Sequence, residues 1–193
     1  MIKKLPLSFY LRPDVAEIAR DLLGKIIVTK FGGINTIGRI TETEAYNGIH
    51  DKASHAYGGR RTNRTEIMYA RGGVAYVYLC YGIHYLFNVV TNVADIPHAV
   101  LIRAIDPVKG KDEMLTRLNK IRKEGIIKGP GNASRALGIT LAHTGDSLTR
   151  KDFYIADDGY IINPSKIIAG PRIGVAYALE DALLPYRFIY DNK

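Results

Sequence analysis

Two carboxylates two residues apart, in Ile40-Thr41-Glu42-Thr43-Glu44-Ala45-Tyr46, are the first feature of this sequence that could carry a reaction. Alternate residues of an extended strand share a face, so Ile40, Glu42, Glu44 and Tyr46 are expected to point together. Ile40 marks that face as partly buried, and two carboxylates buried beside a ring are costly unless paired or used. Used, they suit general acid–base work; the alternative is an exposed edge strand alternating charge with Thr. The segment 51–64 joins Lys52, Arg60, Arg61 and Arg64 to Gly58 and Gly59. Arginine offers phosphate a planar fork of donors, and glycines let backbone N–H groups approach it. Glu44, Asp51 and His55 could be imagined around a metal, but their spacing matches no standard site. Residues 75–85 hold Tyr76, Tyr78, Tyr81 and Tyr85. Tyr76 and Tyr78 share a strand face, whereas Tyr81, next to Gly82, falls in a turn with little to pack against. A bulky ring held out there could wedge between bases; Tyr76 and Tyr85 read as core packing. Gly129-Pro130-Gly131-Asn132-Ala133-Ser134-Arg135 leads into a helix N-terminus, a place suited to anions, though it is no dinucleotide fingerprint. Gly170-Pro171-Arg172-Ile173-Gly174 is a similar, equally weak signal.

These groups must be positioned by regular elements. Val15, Ile18, Ala19, Leu22 and Leu23 after Pro13-Asp14 predict an amphipathic helix of about a dozen residues, closed by Gly24. Residues 25–31 and 34–46 read as a hairpin around Gly32-Gly33, and 74–79, 83–92 and 99–106 as strands. The polar stretch 47–73 is long enough to be a functional loop or to carry short helices. Residues 111–124 predict a charged helix with Met114, Leu115, Leu118 and Ile121 on one face. A helix runs from Gly129 to Leu137, and short strands are expected near 153–156, 173–176 and 187–190. This order predicts an α+β fold, one domain over residues 1–193 with a mostly antiparallel sheet flanked by helices.

The chain has 193 residues and is 47% hydrophobic, which excludes intrinsic disorder and leaves apolar surface for a core. Its 27 Lys and Arg against 19 Asp and Glu give a net charge of +8, which favours polyanionic partners, nucleic acid before membrane. One cysteine, Cys80 in an apolar run, excludes a disulfide framework and reads as a buried, inert thiol. No apolar stretch reaches the length of a membrane span and no secretory signal is visible, so a cytoplasmic location is expected.

In their order and spacing these segments resemble the alkyladenine (3-methyladenine) DNA glycosylase family. The resemblance rests on Arg39-Ile40-Thr41-Glu42-Thr43-Glu44-Ala45-Tyr46, Ala53-Ser54-His55, Gly59-Arg60-Arg61-Thr62, Tyr76-Val77-Tyr78, Tyr81-Gly82, Phe87-Asn88-Val89 and Val100-Leu101-Ile102-Arg103-Ala104. It continues through Gly129-Pro130-Gly131, Ala136-Leu137-Gly138-Ile139, Arg172-Ile173-Gly174 and Pro185-Tyr186-Arg187-Phe188. It implies a curved antiparallel sheet and a monofunctional enzyme that flips damaged purines, alkylated or deaminated, out of duplex DNA and hydrolyses the N-glycosidic bond. By resemblance Glu44 activates water and Arg103 lies near that water and a DNA phosphate. Tyr46, His55 and Tyr78 enclose the flipped base, Asn88 bears on base selectivity, and Tyr81 enters the duplex. Arg60, Arg61 and Arg64 are expected at phosphates. No metal or other cofactor is implied, and the expected state is a monomer on damaged double-stranded DNA, away from membranes. Asn63 stands where the family has Pro, Asn132 where Lys is common, and 180–185 lacks a frequent Trp.

The residue types suit that chemistry. Extruding a base loses a few kcal/mol of stacking and pairing, part of which an inserted ring offsets. A cationic alkylated purine stacks well on tyrosines and is already a good leaving group. One carboxylate can then deprotonate water and stabilise the oxocarbenium-like sugar. No lysine stands beside Glu44, so Schiff-base chemistry is not suggested. The competing readings are a non-catalytic nucleic-acid-binding domain and a metal-dependent nuclease using Glu42, Glu44, Asp51 and His55.

Overall fold

The computed structural model describes residues 1–119 and 125–191. Strand β1 (Lys3–Lys4) and helices α1 (Leu7–Tyr10) and α2 (Val15–Asp21) precede the hairpin β2 (Ile26–Phe31) and β3 (Ile34–Tyr46). After three short 3-10 turns come β4 (Ala75–Cys80), β5 (His84–Thr91), β6 (His98–Lys109), α3 (Lys111–Arg117), β7 (Ile127–Lys128) and α4 (Pro130–Leu137). Strands β8 (Phe153–Asp157), β9 (Ile167–Gly170) and β10 (Arg187–Tyr190) complete a ten-stranded sheet. Its main path is β1-β8-β2-β3-β6-β5-β4, and every named pairing among the described residues is antiparallel. The fold is therefore α+β. No helix among the described residues is long and apolar enough to cross a membrane.

Strand alternation separates a core face from a site face. Phe87 and Val89 of β5, Ala75 and Val77 of β4, and Val100 and Ile102 of β6 enter the main core with Ile18 and Ala19 of α2 and Ala133 and Leu137 of α4. Their neighbours Tyr76, Val90 and Ala99 point the other way and pack with Met68 and Tyr69 beneath the basic loop. On β3 the expected single face is broken. Ile40 lies in the main core together with Ala45, and Thr43 donates its hydroxyl to the Ala19 carbonyl at 2.8 Å, while Glu42 and Glu44 are on the opposite side. The reason is a double bulge. Ile40 pairs with Ile105, Glu42 with Ala104 and Thr43 with Ile102, so Thr41 and Arg103 are extra residues that switch face on both strands.

Other boundaries also move. Helix α2 is seven residues long, capped by Asp14, whose Oδ1 accepts the N–H groups of Ala16 and Glu17 at 2.8 and 2.9 Å. It ends before Gly24, whose φ of +78° and close approach to Ile162 leave no room for a side chain. Helix α3 stops at Arg117; the expected continuation through Ile121 to Glu124 lies outside the described residues. Residues 173–176 form no strand, because the Ile173 N–H goes to a carboxylate and Gly174 has φ +77°; the strand is β9 instead. Tyr85 is 37% exposed rather than in the core, and Cys80 is only partly buried, both beside the turn at the tip of the β4–β5 hairpin.

Candidate active site

Strand β3 runs through the middle of the sheet, with Glu44 in register with Leu101 of β6 on one side and Arg187 of β10 on the other. Enclosed in this way, Glu44 is fully buried and Glu42 nearly so. Every oxygen of Glu44 has a donor. The Ile173 backbone N–H donates to Oε1 at 2.8 Å, the Tyr46 hydroxyl donates to Oε2 at 2.9 Å, and Arg103 Nη1 lies 3.2 Å from Oε2. Arg103 turns its Nε to Glu42 Oε1 at 2.9 Å, and Arg187 Nε donates to the same oxygen at 2.7 Å. Glu42 is thus a hub for two arginines, and Arg103 bridges the two carboxylates. The side-chain flip at the bulge is what lets Arg103 reach both. Burial lowers the Arg103 pKa, but the charges of Glu44 and Glu42 outweigh it and hold the guanidinium above its usual value. Burial, then the charge of Glu44 and the hydrogen bond to it, push the Tyr46 hydroxyl well above its usual range, so it remains a donor.

In front of this group opens a cleft of about 600 Å³, lined by Tyr46, Arg103 and Ile173 at one wall and by His55, Tyr76 and Tyr78 at another. Glu44 lies one layer behind the wall formed by its own donors. His55 Nδ1 and the Tyr76 hydroxyl are 2.9 Å apart, and the His55 and Tyr78 rings meet edge to face at 4.8 Å. Burial, with Arg64 and Arg60 adding repulsion, lowers the His55 pKa to about 4, so its imidazole is neutral near pH 7. Burial likewise raises Tyr78. Asn88, also in the lining, fixes its amide by donating from Nδ2 to the carbonyls of Tyr76 and Leu86 at 3.2 and 3.3 Å. That leaves the Oδ1 end to offer.

The sequence-predicted residues divide. The fold brings Glu44, Tyr46, His55, Tyr78, Asn88 and Arg103 around one cleft, with Arg64 stacked 4.9 Å over the Tyr78 ring. Tyr81 stands on the rim, 91% exposed, at the tip of the β4–β5 hairpin. Arg60 is exposed beside the loop. Arg61 points elsewhere: its fork holds Glu66 at 2.7–2.8 Å and Asp95 at 2.8 Å, and it covers the Tyr69 ring. Asp51 is also committed, in a buried bidentate pair with Arg172, so Glu44, Asp51 and His55 are not assembled around one point. No group of three or more metal-ligating side chains occurs among the described residues. Sequence reasoning missed the Ile173 N–H, Arg187, the Asp51–Arg172 pair and Tyr177 on the cleft wall. The sequence singles out Gly170-Pro171-Arg172-Ile173-Gly174, Pro185-Tyr186-Arg187-Phe188 and Asp51, but for other reasons, and nothing in it points to Tyr177.

The family model described as Methylpurine-DNA glycosylase matches residues 8–193. Two curated relatives, from Chlamydia felis and Chlamydia abortus, are each 48% identical over 192 residues, covering 98% of this chain and 97% and 99% of their own. A third, from Bacillus thuringiensis, is 46% identical over 196 residues, covering 97% of this chain and 95% of its own. All three carry the name "Putative 3-methyladenine DNA glycosylase".

Proposed function

This chain belongs to the methylpurine-DNA glycosylase family, and from that premise we propose that it extrudes a damaged purine from duplex DNA into the tyrosine-lined cleft and hydrolyses its glycosidic bond at Glu44. The class of activity follows from the family: a DNA glycosylase, a hydrolase of N-glycosyl bonds acting in DNA repair. The finer reading rests on one observation. A carboxylate is buried directly behind the wall of an aromatic cleft and held in one orientation by the wall residues Tyr46 and Arg103 and the Ile173 N–H.

The extruded base lies between His55 and the neighbouring tyrosines. A neutral imidazole there can hydrogen-bond the base without repelling a cationic one. Tyr46 and Tyr78 supply faces that attract an electron-poor ring. Asn88 Oδ1 is an acceptor, suited to reading N–H groups on the base edge. Cationic alkylated purines need little help to leave; deaminated purines, neutral, require a proton from solvent or the pocket. The attacking water reaches Glu44 between Tyr46, Arg103 and Ile173. Glu44 takes its proton while its charge stabilises the oxocarbenium-like sugar. Arg103 holds Glu44 on one side and a phosphate of the extruded nucleotide on the other. Tyr81 fills the gap left in the stack. The acting unit in this reading is one domain and one copy of the chain on damaged duplex DNA.

The test is single-turnover release of 3-methyladenine and of hypoxanthine from defined duplexes, beside a binding titration. Release with no strand cleavage supports the reading. Binding without release would leave only a nucleic-acid-binding domain.

A further inference from the structure

The strongest unassigned feature is the buried pair behind the site. The Arg172 side chain is wholly buried and Asp51 nearly so. Arg172 Nη2 donates to Asp51 Oδ1 at 2.8 Å and Nη1 to Oδ2 at 2.5 Å. The same fork donates to the Ala45 carbonyl at 2.9 Å and the Asp181 carbonyl at 3.0 Å. Asp51 in turn accepts the backbone N–H groups of Asn47 and Ala53, both at 2.9 Å. The guanidinium stacks on Tyr46 at 4.9 Å and on Tyr186 at 5.3 Å. One side chain therefore ties together the end of β3, the turn leading to His55 and the segment 172–181. The residue that follows it, Ile173, donates its N–H to Glu44 Oε1. Ala45, which it also grips, lies between Glu44 and Tyr46.

We propose that Arg172, locked by Asp51, is a positioning residue for the reaction: it fixes the Ile173 N–H and the Tyr46 ring, and through them the carboxylate of Glu44. It touches neither base nor sugar. The inference rests on the function proposed above. A buried ion pair is a poor source of net stability, because desolvation offsets most of the attraction. What this one supplies is geometry. A planar fork can satisfy Asp51, Ala45 and Asp181 together, and an ammonium cannot. Displacing a catalytic group by about 1 Å costs roughly 10²-fold in rate. A small tilt of the 172–175 segment would do that to Glu44.

The experiment compares Arg172→Lys, Asp51→Asn and Arg172→Ala with the wild-type chain. Each is checked for a cooperative thermal transition, then measured for lesion-duplex affinity and for single-turnover release of 3-methyladenine. The expected result is release slowed roughly 10- to 100-fold in Arg172→Lys and Asp51→Asn with lesion affinity nearly unchanged. Millimolar methylguanidinium should restore part of the rate to Arg172→Ala, and ammonium at equal ionic strength should not. Wild-type rates in the lysine variant, or rate and affinity falling in parallel without guanidinium rescue, would overturn the inference. Should the lysine variant not fold, the asparagine variant decides between the same two outcomes. If the wild-type chain releases no methylated purine, the proposed function fails instead, and the two failures are distinct.

Discussion

At the scale of single residues, the two carboxylates of β3 are different devices. Glu44 faces the cleft wall through three donors, whereas Glu42 spends one oxygen on Arg103 and Arg187 together. Glu44→Gln keeps the shape and removes the proton acceptor and the charge. Release of 3-methyladenine should fall by roughly 10²-fold or more with binding retained. Glu42→Gln leaves two partly buried guanidiniums facing a neutral amide. Its main effect should be on stability, about 1–3 kcal/mol by thermal or urea unfolding, with a smaller loss of rate than at Glu44. A Glu42→Gln variant inactive while Glu44→Gln excises normally would reverse the assignment. His55 gives a pH test. Its folded-state pKa, lowered to about 4 by burial and then by Arg64 and Arg60, lies below the ordinary 6.5 of the unfolded chain. Above pH 6.5 neither state binds the proton and the fold is unaffected. As pH falls from 6.5 towards 4 the unfolded chain binds it and the folded chain does not, so stability is lost, by at most about 3 kcal/mol. His55→Gln should flatten that part of the stability–pH curve in urea titrations; an unchanged slope would mean the ring is not held neutral. The residues that do the positioning were the least legible. Asp51 and Arg172 are 121 positions apart, and no local pattern joins an acid in a loop to an arginine in a Gly-Pro-Arg turn. Strand alternation alone put Glu42, Glu44 and Tyr46 on one face; the choice of Glu44 and the place of His55 came from the family resemblance.

At the scale of elements, β4 and β5 alternate simply because each has a covered face and an opposite one facing the cleft, whereas β6 shares the bulge at Arg103. Alternation misread β3, since a bulge depends on the partner strand and leaves no mark in a single sequence. The β4–β5 hairpin shows where element geometry and function conflict. Ile83 N–H donates to the Cys80 carbonyl at 3.2 Å, closing a turn with Tyr81 at φ +51° and Gly82 at φ +71°. Both central residues are left-handed, which suits this turn in a right-twisted hairpin and suits glycine at each position. A tyrosine there is strained by about 1 kcal/mol or more, and an apolar ring 91% exposed gains no core contact in return. That cost makes sense if the ring is needed outside the fold. Tyr81→Gly should keep or raise the melting temperature while weakening lesion binding and excision at limiting enzyme. Tyr81→Ala should lose the same function without relieving the strain. Excision equal to wild type in both would remove Tyr81 from the wedge role.

At the scale of the whole molecule, the net charge of +8 counts all arginines alike, and the fold does not. In the basic loop, Arg61 is held by Glu66 and Asp95 and covers Tyr69, so its charge is compensated where it stands. Arg60 has no carboxylate partner among the described residues. Its field and that of Arg64 are both felt at His55 on the cleft wall. The two neighbours should therefore differ on DNA. Each phosphate neutralised contributes about −0.9 to the slope of log affinity against log salt, through released counterions. Arg60→Ala should make the slope for undamaged duplex shallower by about that amount. Arg61→Ala should leave the slope nearly as it is, because removing it frees two carboxylates on the loop rather than opening a phosphate contact. Its effect should appear as looser hydrogen-exchange protection around the turn Glu66–Tyr69. The measurement is a salt titration of duplex binding for the wild type and both variants. Equal slopes for all three would mean that the loop does not meet phosphate. A larger change at Arg61 than at Arg60 would mean that the ion pairs open on DNA and that the basic loop is rebuilt around the backbone it grips.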